Sequence, residues 1–428
     1  MSLKKVNRVV LVAGTVVATV ALVLLMVNFI GGEKKIERSV TRVHAVESPL
    51  FAHELGSMLG PAIVGGNLVQ VLKNGDQIFP PMLKAIRDAK STITFESYIY
   101  WSGDIGREFA QALSERARAG VKVHVLLDWV GSAKMDESLM TAMLEAGVQI
   151  RKFHAPHWYN WGRMNNRTHR KILVADGRLA FTGGVGIAPH WTGNAQSPDH
   201  WRDTHFQVKG PVVAQMQSVF LDNWIKATGD VLHGSDYYPP LAPVGTHKAQ
   251  MFSSSPTGGS ESMQLMYLLS ITAATRTIDL SASYFVPDEL MLRTLIDAVK
   301  RGVRVRIILP GEHIDSDTVR SASRATWGSL LAAGAYIGEY QPTMFHCKVM
   351  IIDQMLVSVG STNFDNRSFR LNDEATLNVM DSAFGAQQTQ IFEQDLKLSR
   401  QITFADWSNR PLREKLAERL ASLLSTQL

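Results

Sequence analysis

The chain has 428 residues, of which 45% are hydrophobic and 19% are charged, so a disordered chain is excluded and two or three folded domains are predicted. A single cysteine excludes an intramolecular disulfide framework. The formal net charge of +5 comes from residues 1–42, which hold seven basic and two acidic side chains and leave 37 of each sign elsewhere. A neutral body argues against a nucleic-acid partner, because duplex binding calls for a basic groove.

The first predicted element is an apolar segment near the amino terminus. Residues 9–31 contain only three polar side chains, and the segment is long enough to cross a hydrocarbon core of about 30 Å. We therefore predict a basic terminus at 1–8, a transmembrane anchor at 9–31 and a linker at 32–60. A cleaved signal peptide is the less favoured alternative, because its apolar region is normally shorter and ends in small residues. Basic residues flank both ends of the segment, so the positive-inside rule does not decide the membrane face.

The rest of the chain reads as two related halves, predicted at 61–240 and 241–428. Each half has the order strand, helix, strand, helix, strand, and then a strand that begins with a His-x-Lys-x4-Asp motif. This order predicts an α/β fold in which each half has a mixed β-sheet flanked by helices. The recurring segments are 89–100 with 274–285, 116–128 with 298–310, and 144–150 with 331–337.

Two further segments complete the predicted organisation. The proline-rich stretch 237–249 lacks periodicity and fits a connector, which places the boundary between the halves near residue 240. The last predicted helix, within 410–424, has one leucine-rich face. We favour packing of this helix on the domain over a position on lipid. The leucines of this face are Leu412, Leu416, Leu420, Leu423 and Leu424.

The two copies of the motif carry the chemistry. The first consists of His169, Lys171 and Asp176, and the second consists of His346, Lys348 and Asp353. Residues i and i+2 of a strand point to the same face, so each copy presents an imidazole beside an ammonium group, which suits phosphate binding. About 0.03 matches are expected by chance in a chain of this composition. Two matches therefore indicate a duplication.

Paired histidines suit cleavage of a phosphodiester through a covalent intermediate. One histidine attacks phosphorus, and the other protonates the leaving alkoxide. Lys171 and Lys348 would neutralise the phosphate oxygens, so we expect no metal and no other cofactor. A nucleophilic histidine needs its other ring nitrogen held by a carboxylate, for which Asp203 and Glu374 are candidates; a surface or strand-end charge is an equally good interpretation of each.

The paired motifs, followed by "TGGVGI" in the first half and "GSTNFDNRSF" in the second, resemble the phospholipase D superfamily. The resemblance covers almost all of the chain from about residue 60, and "NRTHRKILVADG", "STNFDNRSFRLNDE" and the predicted anchor are most similar to bacterial cardiolipin synthases. It implies an active site at a pseudo-twofold interface between two phospholipase D-like halves. The implied location is a bacterial inner or cell membrane, with the face and the oligomeric state left open.

The resemblance also implies roles for individual residues. His169 matches the phosphohistidine nucleophile, and His346 matches the general acid and base. Asp203 and Glu374 match the carboxylates that orient the histidines, and the motif acids Asp176 and Asp353 are interpreted as mainly structural support. The groups that match phosphate-binding positions are Lys171, Lys348, Ser361 and Asn363. One departure is Gly186, which stands where many members have asparagine and leaves Asn363 without a counterpart.

The implied function is a phosphatidyltransferase that makes cardiolipin, with phosphatidylglycerol as the expected substrate. The nearest alternative is a phospholipase D that hydrolyses phospholipids to phosphatidic acid, since the same residues serve both reactions. A nuclease is less favoured because the body is neutral. A catalytically inactive lipid-binding scaffold is less favoured because both motifs are intact.

Overall fold

The computed structural model describes residues 3–27, 36–155, 165–256, 258–259, 261–425 and 427. Its helices are α1 Leu3–Val27, α2 Pro49–Leu59, α3 Asn74–Asp88, α4 Asp104–Arg118, α5 Glu137–Glu145, α6 Val212–Thr228, α7 Ser262–Ala273, α8 Glu289–Lys300, α9 Asp317–Ala333, α10 Asn366–Arg370, α11 Ser382–Lys397, α12 Phe404–Ser408 and α13 Leu412–Ser422. Its strands are β1 Val64–Lys73, β2 Thr92–Ser97, β3 Lys122–Asp128, β4 Gln149–Phe153, β5 Arg167–Thr168, β6 Ile172–Ala175, β7 Leu179–Gly183, β8 Thr204–Lys209, β9 His247–Ser254, β10 Thr277–Ala282, β11 Phe285–Val286, β12 Arg304–Pro310, β13 Tyr336–Tyr340, β14 Lys348–Ile352, β15 Leu356–Gly360, β16 Phe364–Asp365, β17 Asn372–Met380 and β18 Ser399–Ile402.

One mixed sheet runs through both halves of the described chain. Its strand order is β18-β13-β12-β10-β14-β15-β17-β9-β1-β8-β7-β6-β2-β3-β4, and β5 pairs with β17 beside this path. The middle pair, β1 with β9, is antiparallel and joins the halves, so they share a continuous sheet. Each half contributes three parallel strands and then antiparallel ones, which is the mixed α/β arrangement that the sequence predicts.

The turns between helices and strands follow the glycines of the repeated segments. Gly120 and Gly302 have φ angles of 89° and 88°, and Gly147 and Gly334 have φ angles of 95° and 103°. These left-handed conformations strain any residue with a Cβ atom, so glycine at these positions ends each helix and starts the next strand at the predicted place.

The core holds the two halves together. On one face of the first-half strands, Phe79, Phe109 and Met143 from α3, α4 and α5 pack as a local core. On the other face, Met216 of α6 and Phe392 of α11 pack in one cluster with strands of both halves. Residues 37–155 and 166–428 form a single body, so side chains from the two halves meet in fixed positions. The predicted boundary near residue 240 lies between α6 and β9.

The predicted transmembrane anchor at 9–31 is wrong. Among the described residues, no helix is both long enough and apolar enough to cross a membrane. The last part of the predicted anchor, 28–31, lies outside the described residues.

The helix α13 packs on the body, as predicted, but not through its leucine face. Glu418 and Ala421 are its buried residues, whereas all five leucines are exposed. Ion pairs explain this orientation. Arg324 pairs with Glu414 and Glu418, and Arg410 pairs with Glu418, so the acidic side of the helix faces the body.

Candidate active site

The two motif histidines lie just before equivalent strands, His169 before β6 and His346 before β14. Each is fixed by the backbone of the other half. The His169 N–H donates to the Asp373 carbonyl at 2.9 Å, and the His346 N–H donates to the Arg202 carbonyl at 2.8 Å. Both imidazoles are more than nine-tenths buried. The junction of the halves therefore brings the two predicted reactive groups into one site.

The candidate carboxylates Asp203 and Glu374 hold the histidines across the junction. His169 Nδ1 lies 2.9 Å and 3.1 Å from the two carboxylate oxygens of Glu374, and His346 Nδ1 lies 2.7 Å from Asp203 Oδ2. Each acid therefore serves the histidine of the opposite half. An imidazole that donates from Nδ1 to a carboxylate keeps its Nε2 lone pair for attack or proton transfer.

Burial sets the charge state of these pairs. It lowers the pKa of His169 to about 4 and that of His346 to about 3, against the opposing effect of each carboxylate. Burial alone would raise the pKa of Glu374 and Asp203, but the adjoining histidines and lysines lower both. Neutral imidazoles and ionised carboxylates result, and a neutral imidazole is the form that can act as a nucleophile or base.

The two lysines lie beside the histidines in different surroundings. Lys348 Nζ donates to Ser283 Oγ at 2.5 Å and lies 3.2 Å from His346 Nε2. Lys171 Nζ donates to the His169 carbonyl at 2.7 Å and lies 5.5 Å from the ring centroid of Tyr98. Burial lowers the pKa of both lysines, and that of Lys171 falls to about 7. An anionic phosphate would favour the charged form of both groups.

The carboxylates are held by different donors in the two halves. Glu374 accepts hydrogen bonds from the Ser361 hydroxyl and from Asn372 Nδ2, the latter at 3.3 Å. Ser361, which the resemblance predicts to bind phosphate, also contacts Glu374. Asp203 accepts from the Trp191 indole N–H at 2.9 Å and from the Thr204 N–H at 2.8 Å. Trp191 was missed by the sequence reasoning, because a buried tryptophan gives no pattern that separates it from core packing.

The surroundings of Asn363 and Gly186 explain why the first half has glycine where the second half has asparagine. Asn363 is 4% exposed, and its Oδ1 atom has no hydrogen-bond partner among the described residues, while its N–H donates to Ser368 Oγ at 3.2 Å. A Cβ atom on Gly186 would lie 2.8 Å from Ile99 Cβ and 3.2 Å from the Trp191 ring. The first half has no room for asparagine at residue 186, because Ile99 and Trp191 fill that space.

The motif acids Asp176 and Asp353 lie at the far ends of their strands. Asp176 accepts from the N–H groups of Lys90, Ser91 and Thr92. Asp353 accepts in the same way from the N–H groups of residues 275–277. Both have φ angles above 50°, so each carboxylate ties a strained turn to the start of a neighbouring strand. The two acids do not contact the histidines in this arrangement.

Aromatic rings line the reactive histidines, and the sequence reasoning missed these as well. The Tyr98 ring lies edge-on to His169 with centroids 5.1 Å apart. Trp191 and Trp201 both lie 5.3 Å from His346. These rings contribute to the burial of both histidines. The Ser-Tyr pair at 97–98, repeated at 283–284, is a sequence signal for the first of these residues.

A second arginine, Arg367, lies close to Arg167, which is near His169 in the chain. Arg167 precedes His169 by two residues and pairs with Asn372 in the sheet. Leu371, next to Asn372, donates its N–H to the carbonyl of Arg367 at 2.8 Å. Burial and then the charge of Arg167 lower the pKa of Arg367. The two guanidinium groups are thus close enough to repel each other, while Asp365 and Asp128 act on Arg367 in the opposite direction.

Comparison with known proteins identifies the family. A protein-family model described as "Cardiolipin synthase, PLD-like domain" matches residues 82–224 and 267–396 of the chain. Cardiolipin synthase A of Pseudomonas fluorescens is 35% identical over 368 residues, covering 85% of this chain and 75% of the relative. Cardiolipin synthase A of Pseudomonas syringae is 35% identical over 378 residues, covering 87% and 77%.

Solved structures show the same fold at low sequence identity. The phosphatidylserine synthase of Haemophilus influenzae superposes with a TM-score of 0.65 at 12% identity, covering 88% of this chain and 100% of that one. The polyphosphate kinase of Porphyromonas gingivalis gives a TM-score of 0.54 at 13% identity, covering 92% and 57%. These structures show the fold alone. The matched family and relatives confirm the prediction of a phosphatidyltransferase of the cardiolipin synthase type. The chain belongs to the cardiolipin synthase family of the phospholipase D superfamily.

Proposed function

We propose that the enzyme uses two molecules of phosphatidylglycerol to make one cardiolipin and one glycerol, at a membrane surface. The observation that carries the proposal is the crossed arrangement of the site, in which each imidazole is held through Nδ1 by the carboxylate of the other half. Such a pair supplies a nucleophile and an acid to one phosphodiester. Arg167 and the nearby Arg367 favour an anionic second lipid over a neutral one.

In the first step, His169 Nε2 attacks the phosphorus atom of the donor lipid. The bond from phosphorus to the head-group oxygen breaks, and His346 gives its Nε2 proton to the departing glycerol oxygen. The phosphate charge raises the pKa of His346 when lipid is bound, because an anion close to an imidazole favours its protonated form. Lys171, Lys348 and Asn363 are the groups that stabilise the charge on the phosphate oxygens.

In the second step, a head-group hydroxyl of the acceptor lipid replaces the departed glycerol. His346, now neutral, takes the hydroxyl proton while the oxygen attacks phosphorus. The bond from phosphorus to His169 breaks, and cardiolipin leaves with both histidines in their starting states. Water in place of the acceptor would give phosphatidic acid, so exclusion of water and supply of lipid decide between transfer and hydrolysis.

The reaction is tested by mass spectrometry of lipids after incubation with phosphatidylglycerol in mixed micelles. Cardiolipin and glycerol in equal amounts are expected, and phosphatidic acid as the main product would overturn the choice of acceptor. Substitution of either histidine, His169→Ala or His346→Ala, is expected to lower turnover by about 1,000-fold or more.

The roles of the two histidines are separated with a donor whose leaving group is 4-nitrophenolate, which departs without a proton. The His346→Ala variant is expected to release one equivalent of nitrophenolate in a burst and then stall, because the second step lacks its base. The His169→Ala variant is expected to show no burst. The opposite pattern would exchange the two assignments while leaving cardiolipin formation intact.

A further inference from the structure

The leucine face of α13 is an apolar surface that the body of the protein leaves uncovered. Its side chains are 51% to 82% exposed, although leucine is normally among the most buried residues. The exposed leucines are Leu412, Leu416, Leu420, Leu423 and Leu424. Their spacing places them along one side of the helix and its final turn, opposite Ala421, which packs with Val286, Val319 and Ala322.

The charges of α13 are sorted in the same direction. Glu414 and Glu418 face the body and pair with Arg324 and Arg410. Arg413 and Arg419 are exposed and lie at the edges of the leucine face. The outward side of the helix is therefore apolar with a basic border, which matches the surface of a bilayer that contains anionic lipid.

The residues that follow α13 contact α10, the helix that begins three residues after Asn363. The carbonyl of Ser425 accepts from Asn366 Nδ2 at 3.1 Å, and the carbonyl of Gln427 accepts from Arg367 Nη1 at 3.1 Å. Asn366 and Arg367 closely follow Asn363 in the chain. A lipid surface in contact with the final turn of α13 would thus lie near Arg367 and the segment that follows Asn363.

We propose that the leucine face of α13 docks the enzyme on an anionic phospholipid surface and holds the active site at the head-group layer. The proposal deepens the proposed function, because it names the surface through which lipid reaches that site. It does not involve a membrane-spanning segment. The occupant is the anionic bilayer surface, which fits both the exposed leucines and the basic border, whereas a second copy of the chain would meet a like-charged border.

The first test places an environment-sensitive dye on Leu416→Cys in the full chain. The native Cys347 is 2% exposed and burial raises the pKa of its thiol to about 12, so the label goes to the introduced cysteine. A matched control carries the dye on Leu144→Cys, a leucine of α5 that is 46% exposed. Both proteins are mixed with vesicles of phosphatidylglycerol and phosphatidylethanolamine that carry a lipid-borne quencher.

A blue shift and quenching of the dye at residue 416, but not at residue 144, would support the proposal. A dye at residue 416 that stays in water while the protein sediments with vesicles would overturn it. A blue shift without vesicles that grows with protein concentration would also overturn it, because a second copy would then cover the face.

The second test separates docking from chemistry. The double variant Leu416→Gln, Leu420→Gln is expected to lose about tenfold or more of its activity on phosphatidylglycerol vesicles. Its activity on a short-chain phosphatidylglycerol below the micelle threshold should stay within about twofold of the parent, since the site is intact. The control Leu144→Gln, Leu398→Gln should keep both activities. Equal losses on both lipid forms would overturn the docking role.

The basic border is tested by the double variant Arg413→Gln, Arg419→Gln. The parent should bind vesicles with phosphatidylglycerol more tightly than vesicles of phosphatidylcholine, and the variant should lose most of that difference. Unchanged discrimination would overturn the role of the border. Because vesicle binding does not require turnover, a failure of cardiolipin formation would leave these binding results interpretable.

Discussion

The two halves of the active site have the same backbone arrangement around their histidines, but different side chains support the two carboxylates. Each half places a histidine before an equivalent strand and ties its N–H to a carbonyl of the other half. Yet Glu374 is held by a serine hydroxyl and an asparagine amide, whereas Asp203 is held by a tryptophan N–H and a backbone N–H. Duplication thus gave both halves a similar backbone arrangement. Sequence divergence around the carboxylates then gave the two imidazoles different surroundings.

The largest expected effect comes from breaking the crossed pairs. Glu374→Gln and Asp203→Asn should each lower turnover by about 100-fold or more, because the amide cannot stabilise a positively charged imidazole or hold the required tautomer. The test uses the nitrophenyl donor. Glu374→Gln should suppress the burst that depends on His169, and Asp203→Asn should leave a burst and slow the later transfer. If Asp203→Asn suppressed the burst and Glu374→Gln did not, each acid would serve the histidine of its own half. That result would contradict the crossed assignment.

The next effect tests why the first half lacks an asparagine. Gly186→Asn would make the motifs look more alike, but its Cβ would crowd Ile99 and Trp191, so we expect a loss of about 1 to 3 kcal/mol in the free energy of unfolding. Chemical denaturation measures this loss. Gly65→Asn is the control, since nothing lies within 4 Å of a Cβ at that position. A more active and equally stable Gly186→Asn protein would show that the asymmetry is dispensable.

A smaller effect is expected from the donors to the carboxylates. Trp191→Phe and Ser361→Ala each remove one hydrogen bond from an ionised acid, so the pKa of that acid should rise toward its ordinary value. Activity that needs the ionised form is lost as the pH falls through this pKa, so the acidic limb of the pH–rate profile should move to higher pH. The expected loss of turnover at neutral pH is about tenfold for each variant. An unmoved acidic limb with a lower plateau would indicate a steric effect instead.

The smallest expected effect on activity concerns His205. It pairs with Gly183 in the first half, as Thr376 pairs with Gly360 in the second, so the two residues occupy equivalent positions. Both ring nitrogens of His205 lack a partner among the described residues, and burial lowers its pKa to about 3. Below about pH 6.5 the unfolded chain protonates this imidazole while the folded chain does not, so stability is lost as the pH falls. His205→Thr should reduce that loss by about 1 kcal/mol per pH unit between pH 6 and 4.

Thermal unfolding across this pH range measures the effect of His205→Thr. The exposed His233→Thr serves as the control and should leave the pH dependence unchanged. Turnover at neutral pH should stay near the parent value, because His205 forms none of the hydrogen bonds that hold the reactive groups. A large loss of turnover would show that His205 acts on Asp203 or Lys171, its charged neighbours.

Several features of the site could be predicted from local patterns. The spacing of the two motifs predicts His169, Lys171, His346 and Lys348 as candidate site residues, because a strand places residues i and i+2 on one face. Other features could not be predicted this way. The indole of Trp191 and the ring of Tyr98 join the site through contacts with segments further along the chain. The guanidinium group of Arg367 likewise approaches that of Arg167 from a distant segment. The contact that holds Ser361 on Glu374 also depends on the packing of β15 against β17.

The amino-acid sequence by itself determined the duplication, the α/β fold with its mixed strands, and the chemical identity of the reactive groups. These follow from periodicity, from the glycines that end the helices and from repeated motifs, all of which act over short stretches of chain. Only the tertiary structure decided which acid serves which histidine. This pairing depends on two contacts between the halves, one between β5 and β17 and one between residues 202 and 345. The tertiary structure also turned the leucines of α13 outward, because the distant Arg324 of α9 pairs with Glu414 and Glu418 and so holds the acidic face of the helix inward.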